Sequence, residues 1–223
     1  MSVVTSAPDN EQLINIITSL NEDCYSVLSC KKGDYIYMPD EESDKFFFLQ
    51  SGRVMTGSYS DEGKMMIKTM ILSGTFFGEL GIIGQKTRND FALTKDECRV
   101  LVFPIGKLRD ILSEHSDFYL HLMSSLGYRL MKTEKRLENM VFKNSRSRIV
   151  EFLYGLGKDF GQQVGYETLV RDFFTHQEIA DLTGTSRQTV TTTLNDLRNH
   201  NIISFNRKRL LIRDLEKLRQ VEA

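Results

Sequence analysis

The chain has 223 residues, with 29 Lys and Arg against 30 Asp and Glu, and a net charge of −1. A hydrophobic fraction of 40% and a charged fraction of 26% are typical of a globular protein of one or two domains. No run of about 18 apolar residues occurs, which excludes a membrane-spanning helix. The first residues lack a basic stretch followed by an apolar core, so we predict no signal peptide and a cytoplasmic protein.

Three cysteines, Cys24, Cys30 and Cys98, are too few for a disulfide framework or for a four-ligand zinc or iron–sulfur site. We therefore predict no metal site. Residues 143–223 carry 13 Lys and Arg against 10 Asp and Glu, a net of +3, and residues 1–142 carry 16 against 20, a net of −4. This asymmetry favours a nucleic-acid partner only slightly.

The first two thirds of the chain contain a β-rich region. Apolar residues at about 10 to 22 predict a short helix before it. From about Tyr25 to Phe103, short apolar runs such as DYIYM, KFFFLQSGRV and RVLVFP alternate with turns, of which Asp61-Glu62-Gly63 favours a hairpin. Strands this short, with turns this frequent, predict a jelly roll or a small barrel.

A long helix is predicted next, from about Asp117 to Asn144. Spacings of three and four residues alternate along Met123, Leu126, Leu130, Thr133, Leu137, Met140 and Asn144. This 3.5-residue period is that of a coiled-coil seam and favours a parallel helix pair between two copies of the chain. A single amphipathic helix packed on its own domain would show similar spacing. The pattern ends at KNSRSR, residues 143–148, where we place a hinge and a domain boundary.

Two short helices are predicted after the hinge, each with a capping box. Thr175 precedes Glu178 by three residues, and Thr185 precedes Gln188 in the same way. Gly184 separates the two helices. The second helix carries Val190, Leu194 and Leu197 on one face, which predicts that this face is buried.

That buried face leaves a polar face outside. Arginine matches the O6/N7 edge of guanine, glutamine matches the N6/N7 edge of adenine, and threonine methyls can meet thymine. Two helices joined by a glycine turn form a helix-turn-helix. NIISFNRKRLLIRD, residues 201–214, then predicts a β-hairpin wing with a basic tip that meets phosphates. The predicted DNA-binding residues are Thr175, Ser186, Arg187, Gln188, Thr191, Thr192, Asn195, Arg207, Lys208 and Arg209.

This order of parts resembles the CRP/FNR family of bacterial transcription regulators over essentially the whole chain. FFGELGIIGQKTR, residues 76–88, and TSRQTV, residues 185–190, are the strongest motifs. The resemblance implies an α+β fold with an N-terminal β-roll (a double-stranded jelly roll) at 1–116, a dimerisation helix at 117–144 and a C-terminal winged helix-turn-helix at 145–223. It also implies a homodimer on a near-palindromic duplex site, with RNA polymerase as a further partner.

The first motif resembles the phosphate-binding cassette of the family. Gly78 allows close approach of a ligand, backbone N–H groups around Gly81 to Gly84 can bind an anion, and Arg88 can grip a phosphate or carboxylate. In cyclic-AMP-binding members, the resemblance places Glu79 on the ribose and Arg88 on the phosphate. The residues assigned to the effector are Gly78, Glu79, Leu80, Arg88, Asn89, Arg129, Thr133 and Glu134.

The chain departs from the cyclic-AMP-binding pattern at several positions. Asp90 brings a negative charge to the cassette, and Glu134 stands where those members carry serine. Arg129 and Glu134 have the spacing of the 2-oxoglutarate-sensing branch. A cyclic nucleotide such as cAMP is favoured as the effector. Another small anion such as 2-oxoglutarate, haem, a different sensor or no effector remain alternatives.

The second motif also departs from the family, because Gln188 and Thr192 replace a glutamate and an arginine. We therefore expect a different operator.

Two other classes of function are weighed against a regulator. An enzyme is not expected, because all four histidines fall outside the β-rich region and no hydrolase, Walker or zinc-protease motif occurs. A small-molecule-binding protein that does not bind DNA is the remaining alternative.

Overall fold

The structure is a computed structural model that describes residues 4–5, 17, 22–63, 65–107, 111, 116–171 and 173–221. The chain divides into two compact units, one of residues 4–130 and one formed mainly by residues 131–223. The predicted helix at about 10 to 22 lies largely outside the described residues. Within it, Ile17 is helical and buried, and Glu22 begins a 3-10 helix, Glu22–Cys24.

Two β-sheets make up the first unit. The strands are β1 Val4–Thr5, β2 Ser26–Cys30, β3 Tyr35–Tyr37, β4 Lys45–Ser51, β5 Arg53–Tyr59, β6 Met65–Leu72, β7 Thr75–Phe77, β8 Phe91–Thr94 and β9 Cys98–Pro104. Their orders are β1-β6-β5-β8-β3 in one sheet and β2-β9-β4-β7 in the other. Neighbouring strands are antiparallel except β1 and β6, which are parallel. The predicted β-roll is confirmed.

The alternation of side chains along β4 explains how the sheets pack. Phe47 and Leu49 point to one side and pack with residues of the opposite sheet such as Val54. Phe46 and Phe48 point to the other side, into a second apolar cluster. Because both faces of β4 are covered, the strand reads as an unbroken apolar run in the sequence.

Helices dominate the rest of the chain. They are α1 Ser116–Phe142, α2 Ser145–Phe160, α3 His176–Thr183, α4 Arg187–Asn199 and α5 Leu215–Gln220. The division between the two units falls within α1. The break between α1 and α2 is confined to Lys143 and Asn144, within the predicted hinge, and the Asn144 side chain accepts a hydrogen bond from the Ser147 N–H at 2.9 Å. No helix among the described residues is long and apolar enough to cross a membrane.

A four-stranded sheet accompanies the helices of the second unit. Its strands are β10 Gln162–Val164, β11 Glu167–Arg171, β12 Ile203–Phe205 and β13 Arg209–Ile212, in the order β10-β11-β13-β12. The β12–β13 hairpin is the predicted wing. The β10–β11 hairpin was not predicted, and it pairs with the wing through the antiparallel β11 and β13.

The two short helices form a helix-turn-helix, with one correction to the predicted caps. Thr175 and Glu178 make the predicted capping box, with the Thr175 N–H donating to Glu178 at 2.8 Å. The second capping box is wrong: Ser186 caps α4, and its hydroxyl accepts from the Thr189 N–H at 3.0 Å. Thr185 is held by the preceding helix, because its N–H donates to the Ala180 carbonyl at 2.9 Å. The cap therefore moves one residue onward.

The buried face of α4 is as predicted. Val190, Leu194 and Leu197 are each 0% exposed, which fixes the opposite face of the helix toward solvent. This rotation of α4 decides which of its polar side chains can meet a ligand.

Candidate functional site

A small cavity in the first unit gathers most of the predicted effector residues. A 3-10 helix, Glu79–Ile83, follows β7, with Gly78 before it at φ 72° and Gly84 after it at φ 91°. The cavity has a volume of about 50 Å³. Its lining residues are Tyr37, Ser43, Thr56, Phe77, Gly78, Glu79, Leu80, Gln85, Arg88, Asn89, Asp90 and Arg129. The predicted residues Thr133 and Glu134 are exposed and belong to the second unit, so their role at this cavity stays a prediction.

Arg88 is turned into the protein and is only 4% exposed. Its guanidinium donates to the Gly78 carbonyl at 2.6 Å and to the Lys45 carbonyl, and it lies 4.4 Å from the centre of the Tyr37 ring. Its Nε–H has no hydrogen-bond partner among the described residues. A buried donor without a partner is costly, so an acceptor that enters the cavity would be favoured here.

Glu79 and Arg129 form an ion pair at this cavity. Glu79 is 7% exposed, and its Oε1 lies 2.9 Å from Arg129 Nη1. Arg129 also donates to the Phe76 carbonyl at 2.8 Å. Among the described residues, the second carboxylate oxygen of Glu79 is buried without a hydrogen-bond partner. The carboxylate predicted to meet a ligand is thus held by a cation of α1.

Asp90 contributes a second carboxylate whose charge is partly balanced. Burial raises the pKa of Asp90, and the ammonium of Lys68, 3.6 Å away, acts in the opposite direction. Burial also raises the pKa of the neighbouring Tyr37 hydroxyl, and the charge of Asp90 adds to that effect. Asp90 is therefore a weaker obstacle to an anionic ligand than its position in the sequence indicates.

The cavity is too small for a nucleotide in this arrangement. A volume of about 50 Å³ holds a few water molecules, whereas ligand pockets usually enclose roughly 300–1,000 Å³. A ligand of nucleotide size must therefore displace Arg88 or the Glu79–Arg129 pair from the positions described above.

The second site is the polar surface of α4 and the wing. Arg187, Gln188 and Thr192 are exposed on α4. The wing residues Arg207, Lys208 and Arg209 are exposed as well. The structure brings together two of the predicted groups, a polar helix face and a basic hairpin tip, within one unit.

Four of the predicted DNA-binding residues are used within the protein. The hydroxyls of Thr175 and Ser186 cap their own helices. The expectation for Thr191 is corrected: it is half-buried, it donates to the Arg187 carbonyl at 2.9 Å, and His176 Nδ1 lies 2.8 Å from its oxygen. Asn195 is also half-buried. Its distance in sequence from the helix N-terminus did not reveal this.

Sequence reasoning missed His176 and the groove on whose rim it lies. This groove, which we call the wing groove, has a volume of about 620 Å³. It is lined by Phe173, Phe174, Thr175, His176, Gln177, Arg187, Phe205, Asn206 and Arg207. Burial lowers the pKa of His176, and the charge of Arg187 lowers it further. A histidine at the first position of a capped helix, beside aromatic residues, was the available signal.

Comparisons with known proteins match both units. Residues 27–115 match the cyclic nucleotide-binding domain, and residues 147–221 match the Crp-like helix-turn-helix domain. The chain is 29% identical over 187 residues to a CRP-like cAMP-activated global transcriptional regulator of Mycobacterium tuberculosis, covering 84% of each chain. It is also 29% identical over 187 residues to a global nitrogen regulator of Synechocystis sp., covering 83% of each chain.

Solved structures share the fold. A CooA double mutant from Carboxydothermus hydrogenoformans matches with a TM-score of 0.84 and 24% identity, over 100% of this chain and 99% of that one. A cysteine variant of CprK complexed with OCPA matches with a TM-score of 0.79 and 20% identity, over 99% and 97%. A β-roll, a long helix and a winged helix-turn-helix define a DNA-binding regulator. The chain belongs to the CRP/FNR family of transcription regulators.

A pair of glycines tests how tightly the cavity is built. Gly78 and Gly84 both adopt left-handed φ, but a Cβ on Gly78 would lie 2.8 Å from Phe47 and 3.0 Å from Arg88, whereas a Cβ on Gly84 would meet nothing within 4 Å. We expect Gly84→Ala to lower the free energy of unfolding by about 1–2 kcal/mol. Gly78→Ala should lower it by about 2–5 kcal/mol, because steric overlap adds to the backbone cost. Urea unfolding of both variants measures this, and equal losses would contradict the tight packing at Gly78.

Proposed function

We propose that this regulator is a homodimer that binds a near-palindromic duplex site under the control of a small anionic effector in the β-roll cavity. The observation that carries the DNA-binding part is the rotation of α4, which buries Val190, Leu194 and Leu197 and leaves Arg187 and Gln188 exposed. RNA polymerase is a further expected partner if the protein activates transcription.

Exposed apolar residues on α1 support the dimer. Met123, Leu130, Leu137 and Met140 of the predicted seam are 43% to 64% exposed in the single chain. Large apolar side chains repeated on one stripe of a helix indicate a partner surface, and a second copy of the same helix matches their 3.5-residue period. Two copies related by a twofold axis then present two reading helices to successive major grooves, about 34 Å apart.

The charges of the cavity support an anionic effector. Arg88 and Arg129 supply two cations that a phosphate or a carboxylate can accept from, and Arg88 retains a buried N–H without a partner in the described part of the chain. A cyclic nucleotide is the first candidate, in keeping with the cassette and the similarity to a cAMP-activated regulator. A dicarboxylate such as 2-oxoglutarate is the second, because two arginines line one cavity and a global nitrogen regulator is equally similar.

The same geometry suggests how an effector acts on α1. Glu79 can accept a hydrogen bond from a ligand only if its contact with Arg129 weakens, and Arg129 belongs to α1. Effector binding would therefore change what holds this helix. This change can switch the protein only if the effector binds two arrangements of the chain with different affinities.

Leu137→Glu tests the dimer. A carboxylate in the seam cannot be buried without a partner, so the variant should be monomeric and should lose its affinity for a two-half-site duplex. Sedimentation velocity measures the mass of each species. Tyr166→Glu is the matched control, because Tyr166 is 98% exposed and lies outside the seam. A monomeric wild type, or a Leu137→Glu variant that stays dimeric, would contradict the proposed interface.

Arg88→Ala tests the effector site. Saturating cAMP or 2-oxoglutarate at 100 times its Kd should stabilise the wild type by about 2.7 kcal/mol, seen as a rise in Tm. Arg88→Ala should lose this rise for the true effector. The variant also loses two hydrogen bonds to carbonyls and about 1–3 kcal/mol of stability, so the ligand-induced rise is compared, rather than the Tm itself.

Arg99→Ala is the control for this experiment, since Arg99 is exposed on β9 and pairs with Gln50. An Arg88→Ala variant that keeps the full wild-type rise would reject the cavity as the effector site. If neither compound raises the wild-type Tm, an effector of another class or an effector-independent regulator becomes the better explanation.

Arg187→Ala and Lys208→Ala separate base contacts from phosphate contacts. Arg187→Ala should cost about 1–3 kcal/mol on a duplex selected from a random pool and should relax base preference. Lys208→Ala should weaken all duplexes alike and reduce the salt slope by about 1 per contact. Fluorescence anisotropy over a salt series measures both, with Arg213→Ala, whose guanidinium pairs with Glu167, as the control. Equal losses on all sequences for both variants would contradict a reading role for Arg187.

A further inference from the structure

The wing groove combines an apolar floor with a cationic rim. Phe173 and Phe174 are each 6% exposed, and Phe205 packs against Phe173 with ring centres 6.3 Å apart. Arg187 of α4 and Arg207 of the wing stand on the rim with exposed side chains. The apolar floor matches a sugar face and the rim matches a negatively charged group, which is the chemistry of a nucleic-acid backbone.

His176 occupies the centre of this rim. It is the first residue of α3, and its imidazole is half-buried beside Phe205, with ring centres 5.9 Å apart. The Thr191 hydroxyl donates its proton to the Arg187 carbonyl, so His176 Nδ1 must carry a proton and donate to the Thr191 oxygen. This leaves Nε2 as the nitrogen that gains or loses the second proton.

The groups that face His176 are mostly cationic. Arg187 comes from α4, and Arg207 comes from the wing hairpin. Arg198 of α4 lies over the Phe205 ring at 5.3 Å. The acidic group on its own helix, Glu178, already accepts from the Thr175 N–H and hydroxyl. The N-terminus of α3 adds a partial positive charge. An imidazolium is therefore disfavoured here until an anion arrives.

We propose that the wing groove takes a backbone phosphate of duplex DNA, and that His176 binds a proton from solvent as the complex forms, its Nε2–H donating to that phosphate. This inference rests on the proposed DNA-binding function and adds a contact and a pH dependence to it. The phosphate supplies the negative charge that the rim lacks, and a helix N-terminus is a favourable place for it.

The sign of the pH dependence follows from linkage. Burial and Arg187 hold the pKa of His176 below its ordinary value in the unbound protein, so the ring is neutral at pH 7. A bound phosphate favours the charged form and raises the pKa. Since the complex then holds a proton more tightly than the unbound protein, duplex affinity must rise as pH falls between the two pKa values. The rise is at most about tenfold per pH unit for each histidine that titrates.

Duplex binding of the full chain between pH 5.5 and 8.0, at constant ionic strength, tests the inference. A non-specific duplex suffices, because phosphate contacts carry no sequence information. Wild-type affinity should rise about tenfold or more as pH falls from 8.0 to 6.0. His176→Gln can still donate to Thr191 but cannot titrate, and it should lose most of this rise.

Two control variants and one spectroscopic measurement complete the test. His200→Gln changes an exposed histidine at the end of α4 and should keep the wild-type slope. Asp172→Asn removes a carboxylate four positions before His176 in the sequence and should keep it as well. NMR titration of histidine-labelled protein should show a higher pKa for His176 in the duplex complex than in the unbound protein.

Three results would overturn the inference: a wild-type affinity that does not change with pH, a wild-type slope retained by His176→Gln, or an equal pKa in the two states. These failures differ from failure of the proposed function. If the wild type binds no duplex at any pH and low salt, the DNA-binding proposal itself is rejected. If it binds and only the slope is missing, the assignment of His176 alone is rejected.

Discussion

A guanidinium buried to 4% exposure needs acceptors on every side, and this need at Arg88 organises the β-roll cavity. The Gly78 carbonyl can face Arg88 because Gly78 adopts a left-handed conformation that a residue with a Cβ rarely takes. The same backbone turn starts the 3-10 helix that carries Glu79 to Arg129. The position of one buried cation thus determines where the next charge pair forms.

The cavity therefore already contains ions in balance before any effector binds. Arg88 is served by carbonyls, Arg129 by Glu79, and Asp90 by Lys68. An anionic effector has to replace these partners, so its affinity is a difference between new contacts and the contacts that it displaces. Such an exchange suits a sensor, because the displaced pair includes a residue of α1 and the free energy of exchange is small enough to be reversed.

Periodic features of the fold could be predicted from the sequence, because side chains repeat with the geometry of a strand or a helix. The alternation of Phe46 to Leu49 and the stripe of Val190, Leu194 and Leu197 are of this kind. The predicted long helix agrees with α1 to within two residues at each end. Each of these features depends on residues that are close in sequence.

Contacts between distant residues were the part that could not be predicted. The β10–β11 hairpin has strands of three and five residues, and its identity depends on pairing with β13 some forty positions away. Arg88 looked like a ligand-facing arginine, but its orientation depends on carbonyls of two other segments. His176 meets Thr191 fifteen residues later. None of these pairings leaves a periodic trace.

The threonines of α4 show why a helix of such poor propensity can still read DNA. Thr193 is 3% exposed and belongs to the core, Thr189 pairs with the Ser186 hydroxyl at 2.8 Å, and Thr191 is tied to His176. Only Thr192 of the four presents an exposed side chain among the described residues, beside Arg187 and Gln188. Since three of the four threonines serve the fold, the base-reading surface reduces to three side chains. At about 1–3 kcal/mol of discrimination for each good bidentate contact, so few side chains give modest specificity in one subunit. A regulator built in this way needs two subunits on one duplex and non-specific affinity from its wing to reach a defined site.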